Sequence, residues 1–211
     1  MHRVSRTLTA IVLTAVGAAT SACAGTDPDN PGPEVPTSAS IAVPADTSTR
    51  TPPGQRFAFG ATALLPATTF HPGQLAAYTV TGLRRAGRLP DSLTKDGTGF
   101  FLYLTVMSLA DKPSPAPDVI GFAGSPDGRT AALTVRSTAE VPTCVTRTPP
   151  RLMKRGESYA TCLITVVAKD QEAKAAIYWA NTANDPALDF KSHPIVWTAD
   201  PTPSSSPAPS R

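Results

Sequence analysis

The longest alternating run in the chain is Phe100 to Leu109, FFLYLTVMSL. Its β-branched and aromatic residues suit a strand, and its period of two puts Phe100, Leu102, Leu104 and Val106 on one face. Phe101, Tyr103, Thr105 and Met107 fall on the other. Shorter runs flank it: Phe57 to Leu65, stopped by Pro66; Leu75 to Leu83, with Tyr78 and Val80 on one face; and Val119 to Ala123. After these come Arg129 to Arg136, Ser158 to Ala168, Ala175 to Ala180 and Pro194 to Thr198. Turn signals separate them. Ser125-Pro126-Asp127-Gly128 predicts a hairpin in which Val119–Ala123 and Arg129–Arg136 pair, since glycine accepts positive φ and aspartate caps its own backbone. Seven or eight short strands at this spacing predict an all-β, antiparallel β-sandwich. Leu104, Val106, Ile164, Val166, Ile177 and Trp197 recur at strand period in the most apolar runs, so they are expected inside it.

Composition sets the boundaries. Of 211 residues 23 are proline, too many for an all-helical body and concentrated in the flanks. Residues 24–55 are rich in Pro, Ser, Thr and Asp and nearly free of large apolar side chains, which predicts an extended, disordered linker. The sandwich is expected over 56–199, and 200–211 read as a disordered tail. The formal charge of +3 includes Arg3 and Arg6, which leave with the export segment described next. The remaining near-neutral chain has no field to steer a polyanion, and no nucleic-acid partner is expected.

Arg3 and Arg6 precede an apolar run, Leu8 to Ala19, too short to span a bilayer. Thr20-Ser21-Ala22 is a small-residue cleavage site, so 1–22 read as a signal peptide, with Cys23 directly after it. The arrangement resembles the lipobox of bacterial lipoproteins, in which that cysteine receives a diacylglyceryl group and becomes the new N-terminus. It departs from the commonest pattern at Thr20, where leucine is usual. The resemblance implies a membrane anchor at Cys23 and a location at the outer face of the cell membrane, with partial secretion as the lesser outcome. Two or three acyl chains hold stably where one does not, at ~0.8 kcal/mol per buried methylene.

Export puts Cys144 and Cys162 in an oxidising compartment, where an even pair bonds. Chain entropy gives such a closure about 3 kcal/mol. The bond is expected to pin the basic loop Thr146 to Arg155 and to display Arg147, Arg151 and Arg155 on a fixed edge; with Lys154 these are the candidate interaction surface for anionic groups, against the alternative of a solvated loop. No cofactor or metal is expected: the chain has no CxxC, and His71 and His193 each precede proline in a loop.

The lipobox, the Pro/Thr/Ser linker, FFLYLTVMSL, the Asp127-Gly128 turn and the cysteine pair around GESYATC (156–162), ending in HPIVW (193–197), together resemble an actinobacterial group of surface lipoproteins. These carry an immunoglobulin-like domain of unknown function, similar to a small secreted mycobacterial antigen. The resemblance spans about Phe57 to Trp197 and implies the sandwich and its surface location. It brings no catalytic residues. Enzyme motifs fail on their parts: Gly124 to Gly128 has proline at the nucleophile position, and Gly97-Thr98-Gly99 lacks the third glycine of a dinucleotide loop. Asp185 with Asp189, and Asp91 with Asp96, sit in polar loop segments. The expectation is a non-enzymatic, lipid-anchored binding or accessory module with an envelope protein as partner. The alternatives are an extracytoplasmic small-ligand or metal carrier serving a transporter and, behind it, an extracytoplasmic hydrolase.

Overall fold

The computed structural model describes residues 41–69, 73–136, 141–144, 148–180 and 185–201. Among them lie nine strands: β1 Arg56–Ala58, β2 Thr62–Pro66, β3 Leu75–Arg85, β4 Thr98–Ser108, β5 Phe122–Ser125, β6 Leu133–Arg136, β7 Ser158–Val167, β8 Ala175–Tyr178 and β9 Ile195–Thr198. A five-stranded sheet runs β2-β3-β4-β7-β6 and a four-stranded sheet β1-β9-β8-β5. They form the expected β-sandwich. All pairings are antiparallel except β1 with β9, which is parallel.

That exception corrects one expectation. Phe57 to Leu65 is not one strand: Gly60, at φ +89°, breaks it, and the chain changes sheets. β1 joins β9, where Phe57 stacks on Trp197 at 5.8 Å, while β2 joins β3. The crossing is fastened by Trp197 Nε1 donating to the Ala61 carbonyl (3.0 Å) and Gly60 N–H donating to Val80 (2.8 Å). Only a residue without a Cβ takes this φ at no steric cost.

The Asp127-Gly128 hairpin is also corrected. β5 pairs with β8 and β6 with β7, so the turn carries the chain from one sheet to the other. The Asp127 carboxylate accepts from Thr130 N–H (2.7 Å), Arg129 N–H (2.7 Å), the Thr130 hydroxyl (2.8 Å) and the Ser125 hydroxyl (3.0 Å). These donors, the Thr130 N–H foremost, hold its carboxyl well below the usual range. Gathering them around one carboxylate builds a wide loop where a tight turn would return the strand to its neighbour. The two segments still touch: Ala132 N–H donates to Gly124 and the Thr134 hydroxyl to Phe122, which covers the β5 edge.

β4 is the central strand, paired along its length with β3 and β7. Its faces are as the alternation predicts. Leu102, Leu104 and Val106 lie between the sheets with Tyr78, Val80, Phe122, Tyr178 and Trp197. Phe101 and Tyr103 lie outside. β7 is corrected. Its inward residues are Tyr159 and Leu163, whereas Ile164 and Val166 pack with Phe101 and Tyr103 on the outer face of the five-stranded sheet. Ile177 likewise packs outside the other sheet, with Val196 and Ala123. All three are buried, but not inside the sandwich. Alternation gives the phase of a strand. It cannot say which phase points inward when both faces are apolar.

Burial of the outer face has an identifiable cause. Leu89 and Leu93, at the start and within the one-turn helix α1 (Asp91–Thr94), press on it together with Val141 and Cys144. That helix was not legible in the sequence. A polar residue on the inner face is less well served: the Thr161 hydroxyl, across from Leu104, is buried and has no hydrogen-bond partner among the described residues. Thr161→Val, which keeps the shape and removes the unpaired group, is expected to raise stability by about 1–2 kcal/mol. Urea midpoints of the two proteins check this; an unmoved or lowered midpoint would show that the hydroxyl is satisfied.

Candidate functional site

Cys144 and Cys162 form the predicted disulfide, with Cα atoms 5.2 Å apart and a sequence separation of 18. Cys144 ends a one-turn 3-10 helix, Pro142–Cys144, and Cys162 points outward from the middle of β7. Both sulfurs lie in the outer apolar cluster with Phe101, Tyr103, Val141 and Ile164. The bond therefore staples the segment before the basic loop onto the sheet, deep under cover.

The loop itself is held by other means, against expectation. Met153 is 1% exposed and enters the core between the sheets, and its backbone exchanges two hydrogen bonds with Ser114 (2.8 and 3.1 Å). Gly156, at φ +82°, donates to the Ser108 carbonyl (2.9 Å), and the Glu157 carboxylate accepts from Lys154 N–H (2.7 Å). A methionine with three free torsions can reach into an irregular gap that the surrounding basic residues cannot fill. The loop is organised around that plug.

Arg155 is exposed, with 43% of its side chain accessible, and is at the same time engaged. Its Nη1 donates to the Leu109 carbonyl (2.9 Å) and to Asp111 (3.3 Å), and its Nη2 donates to the Thr47 hydroxyl (2.6 Å). Thr47 belongs to the segment expected to be linker. Residues 41–55 are instead laid along the domain, which corrects the linker boundary. Ile41 packs toward Leu64, Ala77, Met107 and Leu109. Thr51 N–H donates to the Leu64 carbonyl (2.9 Å) while Leu64 N–H donates to the Thr51 hydroxyl (2.9 Å), so one residue closes the edge of β2. Gly54 N–H donates to His193 (2.8 Å), and the Gln55 carbonyl accepts from Val196 (3.0 Å). Half-buried residues recur at every third position, Ile41, Pro44, Thr47 and Arg50, with exposed ones between. That is the period of a polyproline II strand laying one of its three faces on a surface. Composition hides such a strap, because its contacts use carbonyls, hydroxyls and one guanidinium in place of a large apolar stripe.

Where the strap passes Arg155 it borders a polar groove of about 440 Å³, lined by Thr47, Ser48, Gln74, Asp111, Lys112 and Arg155 among others. Arg151 and Lys154 stand exposed nearby. Of the basic quartet, then, Arg151, Lys154 and Arg155 are all exposed, and Arg155 is also a clasp. Arg147, like Cys23 and His71, lies outside the described residues.

The remaining candidates cap backbone. Asp185 accepts from Ala187 N–H (2.9 Å) and Asp189 from Ser192 N–H (3.0 Å), which lowers the Asp189 carboxyl. The Ser125 hydroxyl accepts from Gly128 N–H (2.9 Å) and donates to Asp127. Among the described residues no three His, Cys, Asp or Glu side chains come together as a metal site, and no helix is long and apolar enough to cross a membrane.

No protein-family model matches the chain, and no curated protein matches it in sequence. Among solved structures the chain is similar to the secreted protein MPT63 from Mycobacterium tuberculosis. The identity is 16% and the TM-score 0.46, over 68% of this chain and 95% of that one. It is also similar to the YjhA protein from Bacillus subtilis, at 13% identity and TM-score 0.42, over 69% of this chain and 99% of that one.

Proposed function

We propose that the protein is exported, held at the outer face of the cell membrane by a lipid on Cys23, and presents its sandwich as a non-enzymatic binding module for an envelope protein. The observation that carries the export half is the pairing of Cys144 with Cys162. A structural disulfide buried in an apolar cluster belongs to an oxidising compartment, since cytosolic thiols are kept reduced. The sequence around Cys23 supplies the anchor: positive residues, a short apolar run and a small-residue site stand in the order that lipid transfer requires. The binding half is supported by the exposed Arg151 and Lys154, set on either side of the buried Met153 on the loop whose Arg155 lines the groove.

Cys23→Ala is expected to move the protein from the detergent phase of a phase-separation assay to the aqueous phase or the medium. A variant that still partitions with the wild type would overturn the anchor. With the same unlipidated chain as bait, an envelope protein captured by the wild-type loop and lost on Arg151→Glu with Lys154→Glu supports the binding role; capture that ignores the pair removes this surface from it.

A further inference from the structure

The strap is fastened unevenly. From Thr51 onward it shares backbone hydrogen bonds with Leu64, His193 and Val196 and runs directly into β1. Before Thr51 its attachments among the described residues are fewer: the Thr47 hydroxyl on Arg155, Ile41 against the Leu64 and Met107 cluster, and Arg50, whose Nε is buried, while Val43 is 47% exposed. Such a segment opens locally at far lower free energy than the sandwich, because little apolar area and few backbone bonds must be given up. Arg155 is suited to reclosing it. Its other two contacts, on Leu109 and Asp111, lie within the domain and hold the guanidinium in place when Thr47 leaves.

We propose that residues 41–50 are a releasable part of the tether, latched to the domain by the Thr47–Arg155 hydrogen bond. The role in reach rests on the anchor at Cys23; the latch does not. Cys23 to Ile41 is 18 residue steps, which at full extension span at most about 65 Å. Release as far as Thr51 makes 28 steps and about 100 Å. Release thus lengthens the available tether by ten residue steps, and a pull from Ile41 meets the latch before it meets β1. Release also opens one wall of the groove, since Thr47 and Ser48 line it.

Trypsin reads the latch on the full chain carrying Cys23→Ala, so that failure of the lipid anchor cannot affect the outcome. Arg50 precedes a cleavable bond to Thr51, its Nε is buried and the Thr51 N–H is held by Leu64, so the protease can act there only after the strap lifts and its Thr51 end frays from β2. Arg129, exposed in the loop between β5 and β6, is the internal reference. Thr47→Val is expected to speed cleavage after Arg50 about five- to tenfold with cleavage after Arg129 and the thermal midpoint unchanged. Arg155→Ala is expected to do the same, and the double variant to add nothing further. Cleavage after Arg50 that is no faster in Thr47→Val overturns the latch. So does cleavage after Arg50 and Arg129 that rises together with denaturant, which would mean that the strap leaves only when the sandwich unfolds.

Discussion

Trp197→Ala is expected to lower the unfolding free energy by about 3–5 kcal/mol, the range for deleting a buried large aromatic side chain. Trp197 is fully buried, sits in β9 between β1 and β8, and packs on Phe57 at 5.8 Å and on Phe122 at 5.9 Å. Its indole N–H is also the partner of the Ala61 carbonyl, in the three-residue crossing between the sheets. The side chain thus fills the core and closes the point where the chain changes layer. Against a total of roughly 5–15 kcal/mol for a domain, the loss is about a fifth at the least. Trp197→Phe separates the two roles. It keeps an aromatic ring against Phe57 and Phe122 but orphans Ala61, and about 1–2 kcal/mol is expected. Guanidinium unfolding followed by far-ultraviolet circular dichroism measures both. An alanine variant that loses under 1 kcal/mol would mean that Trp197 does not hold the layers together.

The same crossing shows why the sequence was legible only in part. Strand positions followed from period-two runs, and β3, β4 and β7 lie where the alternation put them. Sheet membership did not follow. Nothing in FAFGATALL announces that its two halves pair with different sheets, because the decision lies in one glycine φ and in a tryptophan well over a hundred residues away. The inner face of β7 was misjudged for a related reason. Ile164 and Val166 look more like core than Tyr159 and Thr161, and the cover that buries them comes from Leu89, Leu93 and Val141.

At the candidate site the cysteine pair was legible, since export and an even count suffice to predict a bond. The clasp was not. Arg155 looks in sequence like its neighbours Arg151 and Lys154, and only the carbonyl of Leu109, the carboxylate of Asp111 and the hydroxyl of Thr47 make it different. Leu152-Met153, an apolar pair within the basic loop, is the sequence signal of the plug.

Above pH 10 the protein is expected to lose stability steeply, through its buried phenols. Tyr78 is 1% and Tyr178 2% exposed. Burial, reinforced by the Asp118 charge, pushes both phenols well above their ordinary value near 10; Arg50 opposes this slightly at Tyr178. The Tyr78 hydroxyl donates among three carbonyls, those of Asp118 (2.9 Å), Pro66 and Ala67 (both 3.2 Å), and so binds the proline-rich connection to the core in its protonated form. Below pH 10 both phenols are neutral, folded or unfolded, and contribute no pH dependence. As pH rises past 10 the unfolded chain releases these protons while the folded chain retains them, so stability falls. Each retained proton contributes about 1.4 kcal/mol per pH unit, and two give roughly 4 kcal/mol by pH 11.5. Urea midpoints from pH 9 to 11.5 measure the slope, and absorbance of the phenolate should appear with unfolding and not before it. Tyr178→Phe, which leaves the three carbonyl contacts of the Tyr78 hydroxyl intact, should halve that slope. A midpoint that stays level to pH 11.5, or phenolate that forms while the circular dichroism is still native, would show that these tyrosines titrate in the folded state and do not lock the core.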